Sequence, residues 1–138
     1  MNKHILIIDD DEVLRYSMSR ALTRLGHRVF TAESLSTTPK VVKYEQIDWV
    51  ILDLRLGAES GLELAQWLLA YDPNIEIVMI TGYAAVSTAV QSIKLGVKDY
   101  LIKPISIDDI IAAFNDKVIN VSEPIKHERL SPKRLEWE

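Results

Sequence analysis

The chain has 138 residues, 48% of them hydrophobic and 26% charged, and it contains no cysteine. This balance fits one compact domain with a short extension, and the missing cysteines exclude disulfides, thiolate metal sites and a cysteine nucleophile. The formal net charge of −4 gives no general attraction for nucleic acid. The apolar N-terminal run HILII is too short for a signal peptide or a membrane span, so we expect a cytoplasmic protein that does not contact membranes.

Short apolar runs alternate with segments of helical period, which is the pattern of βα units that form a parallel sheet with helices on both faces. Runs rich in Val, Ile and Leu predict five strands, and the nearly continuous ones are typical of central strands buried on both faces. The predicted strands cover residues 4–9, 28–32, 49–53, 76–80 and 99–102.

Apolar residues at helical spacing predict a helix after each strand, with the weakest pattern at residues 36–45. Capping-box pairs open the third and fifth helices, and glycines end the first and fourth. These residues are Ser60 with Glu63, Ser106 with Asp109, Gly26 and Gly96. The third helix should end before Pro73. The inward-facing residues of the last helix should continue as far as Val118.

Residues 122–138 differ in character from the rest of the chain. The segment SEPIKHERL is polar and has no sustained period, which is typical of a linker. Ser131 and Pro132 then form the N-cap and first position of a new helix. We therefore expect one domain over residues 1–121, followed by a linker and the truncated start of a helix from a further domain.

Polar side chains stand at the carboxyl ends of the predicted strands, the edge at which open α/β sheets bind ligands. They are Asp9, Asp10 and Asp11 after the first strand, Asp53 on the third, Thr81 after the fourth, and Lys103 with Pro104 after the fifth. Clustered carboxylates repel one another unless a cation neutralises them, and their hard oxygens suit Mg²⁺. A carboxylate at such a place can attack phosphorus and form an aspartyl phosphate. We interpret Asp53 as this acceptor, with Thr81 and Lys103 as partners of the phosphoryl oxygens.

Each of these residues also has an ordinary structural interpretation. Acids after a strand can cap a helix, Asp53 or Thr81 can cap a turn, and Lys103 can be a surface charge. Their coincidence at successive strand ends favours the functional interpretation.

The segments ILIIDDDEVLR, VILDLRLG, IVMITGY and DYLIKP resemble the two-component response regulator receiver family, and the resemblance covers residues 3 to 121. It implies an α/β, flavodoxin-like (CheY-like) doubly wound sheet of five parallel strands in the order 2-1-3-4-5, with five helices. It also implies that a sensor histidine kinase phosphorylates Asp53 in the presence of Mg²⁺, with Mn²⁺ as a substitute for Mg²⁺. The chain would then be a phosphoacceptor and not an enzyme with a separate substrate.

The resemblance further assigns roles to single residues. The metal ligands would be Asp9, Asp10, Asp53 and the backbone carbonyl of Arg55, with Asp9 acting through water. Thr81 and Tyr100 would be the switch residues. The Lys103–Pro104 bond would be cis, which costs an X-Pro bond only about 0.5–1 kcal/mol. No ligand role is carried over to Asp11.

The chain departs from the usual receiver pattern in the loop after Asp53. Most receivers have Met-Pro or a similar pair three and four residues after the acceptor, whereas this chain has Leu56 and Gly57. The DLRLG variant and the tail LSPKRLEWE resemble the RegA, PrrA and ActR group of redox-responsive regulators. That resemblance implies a Fis-like helix-turn-helix domain outside this chain, so that DNA is bound only through that domain, and dimers form on phosphorylation.

The lifetime of the phosphoryl group depends on the side chains that flank the path of an attacking water. Two residues beyond Asp53 and Thr81 these are Arg55 and Tyr83. Both are large, and neither is a carboxylate or an amide suited to orient water. The sequence therefore predicts slow loss of the phosphoryl group.

Three alternatives follow from the same residues. A phosphatase of the haloacid-dehalogenase type needs a second acid two residues after its nucleophile, where this chain has Arg55. A flavodoxin-like FMN binder needs a phosphate-binding loop after the first strand, where three carboxylates would repel phosphate. A pseudo-receiver scaffold would bind partners without phosphorylation, although the residues for phosphorylation are all present.

Overall fold

The structure is a computed structural model that describes residues 2–57, 59–82 and 86–115. The strands in these ranges are β1 (His4–Ile8), β2 (Arg28–Ala32), β3 (Trp49–Asp53), β4 (Arg55–Leu56), β5 (Glu59–Ser60), β6 (Glu76–Thr81) and β7 (Asp99–Ile102). Five of them form a parallel sheet in the order β2-β1-β3-β6-β7. Counted within that sheet, this is the predicted order 2-1-3-4-5, so the flavodoxin-like fold is confirmed.

The described residues contain five helices, as predicted. They are α1 (Glu12–Arg24), α2 (Thr38–Tyr44), α3 (Gly61–Tyr71), α4 (Val86–Leu95) and α5 (Ile107–Asn115). None of these helices is long and apolar enough to cross a membrane. The predictions for Tyr83, for Val118 and for the linker and helix start at 122–138 concern positions outside the described residues.

The two faces of the sheet bury two separate apolar clusters, because successive strand side chains point to opposite faces. Leu6 and Ile8 of β1 belong to the cluster under α2, α3 and α4. Ile5 and Ile7 belong to the cluster under α1 and α5. All four side chains are fully buried, and each such burial stabilises the fold by about 1.5–3 kcal/mol. The continuous apolar strands of the sequence thus form a sheet that lies between two layers of helices.

Side-chain caps fix the starts of α1, α3 and α5. The carboxylate of Asp11 accepts a hydrogen bond from the Leu14 N–H (3.1 Å), so this acid caps α1. The Ser60 hydroxyl caps α3. Ser106 and Asp109 exchange two hydrogen bonds at the start of α5, which confirms that capping box.

An aromatic stack joins the end of α5 to the start of β3. The rings of Trp49 and Phe114 lie 4.4 Å apart and are nearly parallel, at 2°. Such stacked pairs contribute about 0.5–1.5 kcal/mol beyond the area they bury. The stack holds the last described turn of α5 at the amino edge of the sheet.

The short hairpin β4–β5 was not predicted. Arg55 pairs with Ser60 and Leu56 with Glu59 in an antiparallel ladder, and Gly57 in the turn has φ +62. The side chain of Leu56 is 3% exposed and belongs to the core under α2–α4. The loop after Asp53 is therefore anchored in the core despite its departure from the usual receiver pattern.

Gly61 permits a close backbone approach at the end of this hairpin. Its N–H donates to the Leu54 carbonyl (2.6 Å), and a Cβ atom at this position would overlap the backbone carbonyl of Asp53. The hairpin can close against β3 only because position 61 has no side chain.

We predict that Gly61→Ala lowers the free energy of unfolding by about 1–3 kcal/mol, because backbone must move to admit the methyl group. Urea denaturation measures this change. Gly82→Ala is the matched control, since a Cβ at Gly82 would meet nothing within 4 Å. Equal stabilities of the two variants would contradict the prediction.

Candidate functional site

The polar residues predicted at the strand ends meet at one edge of the sheet. Asp9 follows β1, Asp53 ends β3, Thr81 ends β6 and Lys103 follows β7. Backbone hydrogen bonds extend the ladder past the strand ends, from Lys103 N–H to the Thr81 carbonyl (2.7 Å) and from Leu54 N–H to the Ile80 carbonyl (2.8 Å). The backbone on both sides of Asp53 and Lys103 is therefore fixed by the sheet.

Three carboxylates form the centre of the site. Asp9, Asp10 and Asp53 each offer an oxygen that lies within 4.8 Å of the other two. Asp9 is fully buried and Asp53 is 5% exposed, whereas Asp10 is exposed to solvent. A set of hard, negatively charged oxygens beside a solvent-exposed ligand fits a divalent cation such as Mg²⁺, which binds few carboxylates and keeps several waters.

Lys103 bridges two of these acids. Its Nζ atom lies 3.1 Å from Asp9 Oδ2 and 3.2 Å from Asp53 Oδ2. Burial lowers the pKa of Lys103, but the hydrogen bond to Asp9 and the charge of Asp53 outweigh burial and raise the pKa above its ordinary value. Lys103 is therefore positively charged and held in place between the two acids. The peptide bond between Lys103 and Pro104 is cis, as predicted.

The pKa of the Asp53 carboxyl is raised toward neutral pH. Burial and the neighbouring charge of Asp9 raise its pKa from 3.8 to about 6, against the opposing effects of the Arg55 N–H and Lys103. In the absence of a cation, Asp53 thus carries its negative charge at a cost in free energy.

Backbone amides and one arginine hold the acids in place. Asp9 accepts from the Asp11 N–H (2.9 Å), Asp53 from the Arg55 N–H (3.1 Å), and Asp10 from the Gly57 N–H (2.8 Å). Sequence reasoning did not find these contacts, nor Arg15 of α1, whose guanidinium donates to the Asp9 carbonyl (2.6 Å). The partners are backbone atoms, which leave no signature in the sequence.

The two proposed switch residues lie on neighbouring strands. Thr81 is 1% exposed at the end of β6, and the Tyr100 ring on β7 is fully buried. The Tyr100 hydroxyl lies 3.2 Å from Thr88 Oγ1 of α4. The Tyr100 ring is thus turned inward and contacts α4 through its hydroxyl. The Arg55 side chain, in contrast to both switch residues, is exposed.

Comparisons with known proteins identify the family of this chain. The family model of the response regulator receiver domain matches residues 5–115. The photosynthetic apparatus regulatory protein RegA of Rhodobacter capsulatus is 33% identical over 137 residues, which are 99% of this chain and 74% of that protein. The acid tolerance regulatory protein ActR of Sinorhizobium medicae is 34% identical, over 99% of this chain and 70% of its own length.

A solved response regulator from Burkholderia pseudomallei, with a phosphorylated aspartic acid, a calcium ion and citrate, has a similar fold. Its TM-score is 0.78 at 39% identity, over 80% of this chain and 65% of that one. This chain thus belongs to the response regulator receiver family, close to the RegA and ActR group, and is the receiver domain of a two-component response regulator.

Proposed function

We propose that Asp53 accepts a phosphoryl group from the phosphohistidine of a sensor histidine kinase. A carboxylate oxygen of Asp53 attacks phosphorus, the new P–O bond forms as the P–N bond breaks, and the imidazole leaves. The observation that carries this proposal is the three-acid cluster around Asp53, with Lys103 in contact with two of its members. The chain is then a phosphoacceptor and not an enzyme that acts on a separate substrate.

Mg²⁺, or Mn²⁺ in its place, would be held by Asp9, Asp10, Asp53 and the backbone carbonyl of Arg55. When bound, the cation neutralises the carboxylates and the developing charge on the phosphoryl oxygens. Both carboxylate oxygens of Asp9 already accept hydrogen bonds, one from the Asp11 N–H and one from Lys103 Nζ, which supports a role through water for this acid.

Lys103 and Thr81 would stabilise the phosphorylated state. The Lys103 ammonium pairs with one phosphoryl oxygen, and the Thr81 hydroxyl donates a hydrogen bond to another. Thr81 ends β6, and Tyr100 lies on the adjacent strand β7, so a movement of Thr81 is transmitted to Tyr100 and α4. Phosphorylation acts by favouring one of two arrangements of this surface.

Residues 1–121 form the receiver in this proposal, and residues 122–138 lead from it to a Fis-like DNA-binding domain outside this chain. Phosphorylation promotes homodimers, which bring two such domains to paired half-sites on DNA. The cytoplasm is the compartment in which the kinase domain, the receiver and DNA meet.

Incubation with acetyl phosphate and Mg²⁺ should add one phosphoryl group to the wild-type chain and none to Asp53→Ala, as measured by intact mass. Asp11→Asn is the matched control, because asparagine keeps the cap of α1 and removes a nearby charge. It should be phosphorylated like the wild type. A wild type that gains no mass and binds no beryllofluoride would support the pseudo-receiver alternative.

Mg²⁺ affinity should fall as the pH drops through about 6, because the raised pKa of Asp53 makes protons compete for a ligand. At pH values below this pKa, competition by one proton should weaken the apparent Mg²⁺ affinity about tenfold for each pH unit of acidification. At pH values above the pKa, the affinity should be constant. Calorimetric titrations between about pH 7.5 and pH 5 measure this. An affinity that does not change over this range would contradict the assignment of Asp53 as a ligand.

The phosphorylated chain should keep its phosphoryl group for minutes or longer, because Arg55 offers no carboxylate or amide to orient water. Arg55→Asn should shorten the half-life several-fold, as followed by intact mass after removal of the donor. Arg20→Asn repeats the change on the exposed face of α1 and should have no effect. A wild-type half-life of seconds would refute the prediction.

A further inference from the structure

A hydrogen bond joins the hairpin β4–β5 to an acid of the site. The N–H of Gly57 donates to Asp10 Oδ2 at 2.8 Å, across 47 positions of sequence. Gly57 occupies the hairpin turn with φ +62, a left-handed conformation that glycine adopts at little cost. The position of this amide is set by the turn and not by Asp10.

The hairpin is fixed independently of Asp10. Leu56 is buried in the core, the Gly61 N–H bonds the Leu54 carbonyl, and Glu59 accepts from the Leu35 N–H at 3.2 Å. These contacts tie both strands of the hairpin to the domain. The Gly57 amide is therefore a rigid donor.

Asp10 needs such a donor more than its neighbours do. Asp9 is fully buried and bonded to Lys103, and Asp53 is buried and bonded to Lys103 and the Arg55 amide. Asp10 is exposed, so packing does not select its rotamer. A carboxylate has about four acceptor sites, so the bond to Gly57 leaves most of them for a cation.

We propose, on the basis of the metal site proposed above, that the Gly57 amide is a positioning group that orients Asp10 toward the cation. Outer-shell hydrogen bonds to metal ligands commonly change metal affinity by about 10–100-fold. The same hairpin carries the Arg55 carbonyl, so one rigid element sets two ligands. A proline at this position would have no N–H and could not take this role.

Gly57→Pro removes the amide, and it should weaken Mg²⁺ binding at least about tenfold in calorimetric titration. Gly57→Ala strains the same turn but keeps the N–H. This control should change the affinity by less than about threefold, a change well below the outer-shell effect. In an Asp10→Ala background, the loss caused by Gly57→Pro should be clearly smaller, because the amide then has no carboxylate to orient.

Equal losses for Gly57→Pro and Gly57→Ala, or an undiminished loss in the Asp10→Ala background, would overturn the positioning role. A wild type that binds no Mg²⁺ would instead overturn the metal site itself.

Amide exchange by NMR tests the wild-type chain directly and does not depend on the folding of Gly57→Pro. The Gly57 amide should exchange more slowly in the wild type than in Asp10→Ala, and saturating Mg²⁺ should leave it slow. An exchange rate that rises with Mg²⁺ to the Asp10→Ala value would mean that the cation displaces the amide, which would refute the proposal.

Discussion

Electrostatic repulsion between carboxylates at one sheet edge is the constraint on which the site depends. Three carboxylate oxygens lie within 4.8 Å of one another, and two unit charges at about 4 Å repel by roughly 4 kcal/mol at an effective dielectric of about 20. Lys103 offsets part of this repulsion for Asp9 and Asp53. Burial, together with the remaining repulsion from Asp9, raises the pKa of Asp53, and the same concentration of negative charge favours a cation at the site.

The parallel sheet makes this repulsion tolerable by fixing the backbone that bears the charges. β3 lies in the middle of the sheet, between β1 and β6, so Asp53 ends a strand paired on both sides. Backbone hydrogen bonds past the strand ends hold Leu54 and Lys103. The acids cannot move apart to relieve their repulsion without breaking backbone hydrogen bonds of the sheet. The free energy of folding therefore keeps the negative charges close together.

Much of the fold and part of the site follow from the sequence. Strand positions could be predicted because each strand is a short apolar run, and Asp53 and Lys103 could be chosen because parallel strands bring their carboxyl ends together. The metal-ligand, switch and lifetime roles stay predictions. Tyr83 and residues 122–138 lie outside the described structure.

The hairpin β4–β5 could not be predicted in the same way. Two-residue strands have no period, and their position depends on the burial of Leu56 and on the left-handed φ of Gly57. The contacts of Arg15 and Gly57 were missed for a related reason. Each pairs a side chain with a backbone group, six residues away for Arg15 and Asp9 and 47 residues away for Asp10 and Gly57, and no residue pattern specifies such a pair.

The stack of Phe114 on Trp49 holds the described end of α5 at the amino edge of the sheet. Trp49 begins β3 and Asp53 ends it, so four residue steps, or about 13 Å, separate the stack from the acceptor. A phosphoryl group on Asp53 would therefore not contact the stack, and any effect of phosphorylation on this end of α5 would have to pass through the sheet.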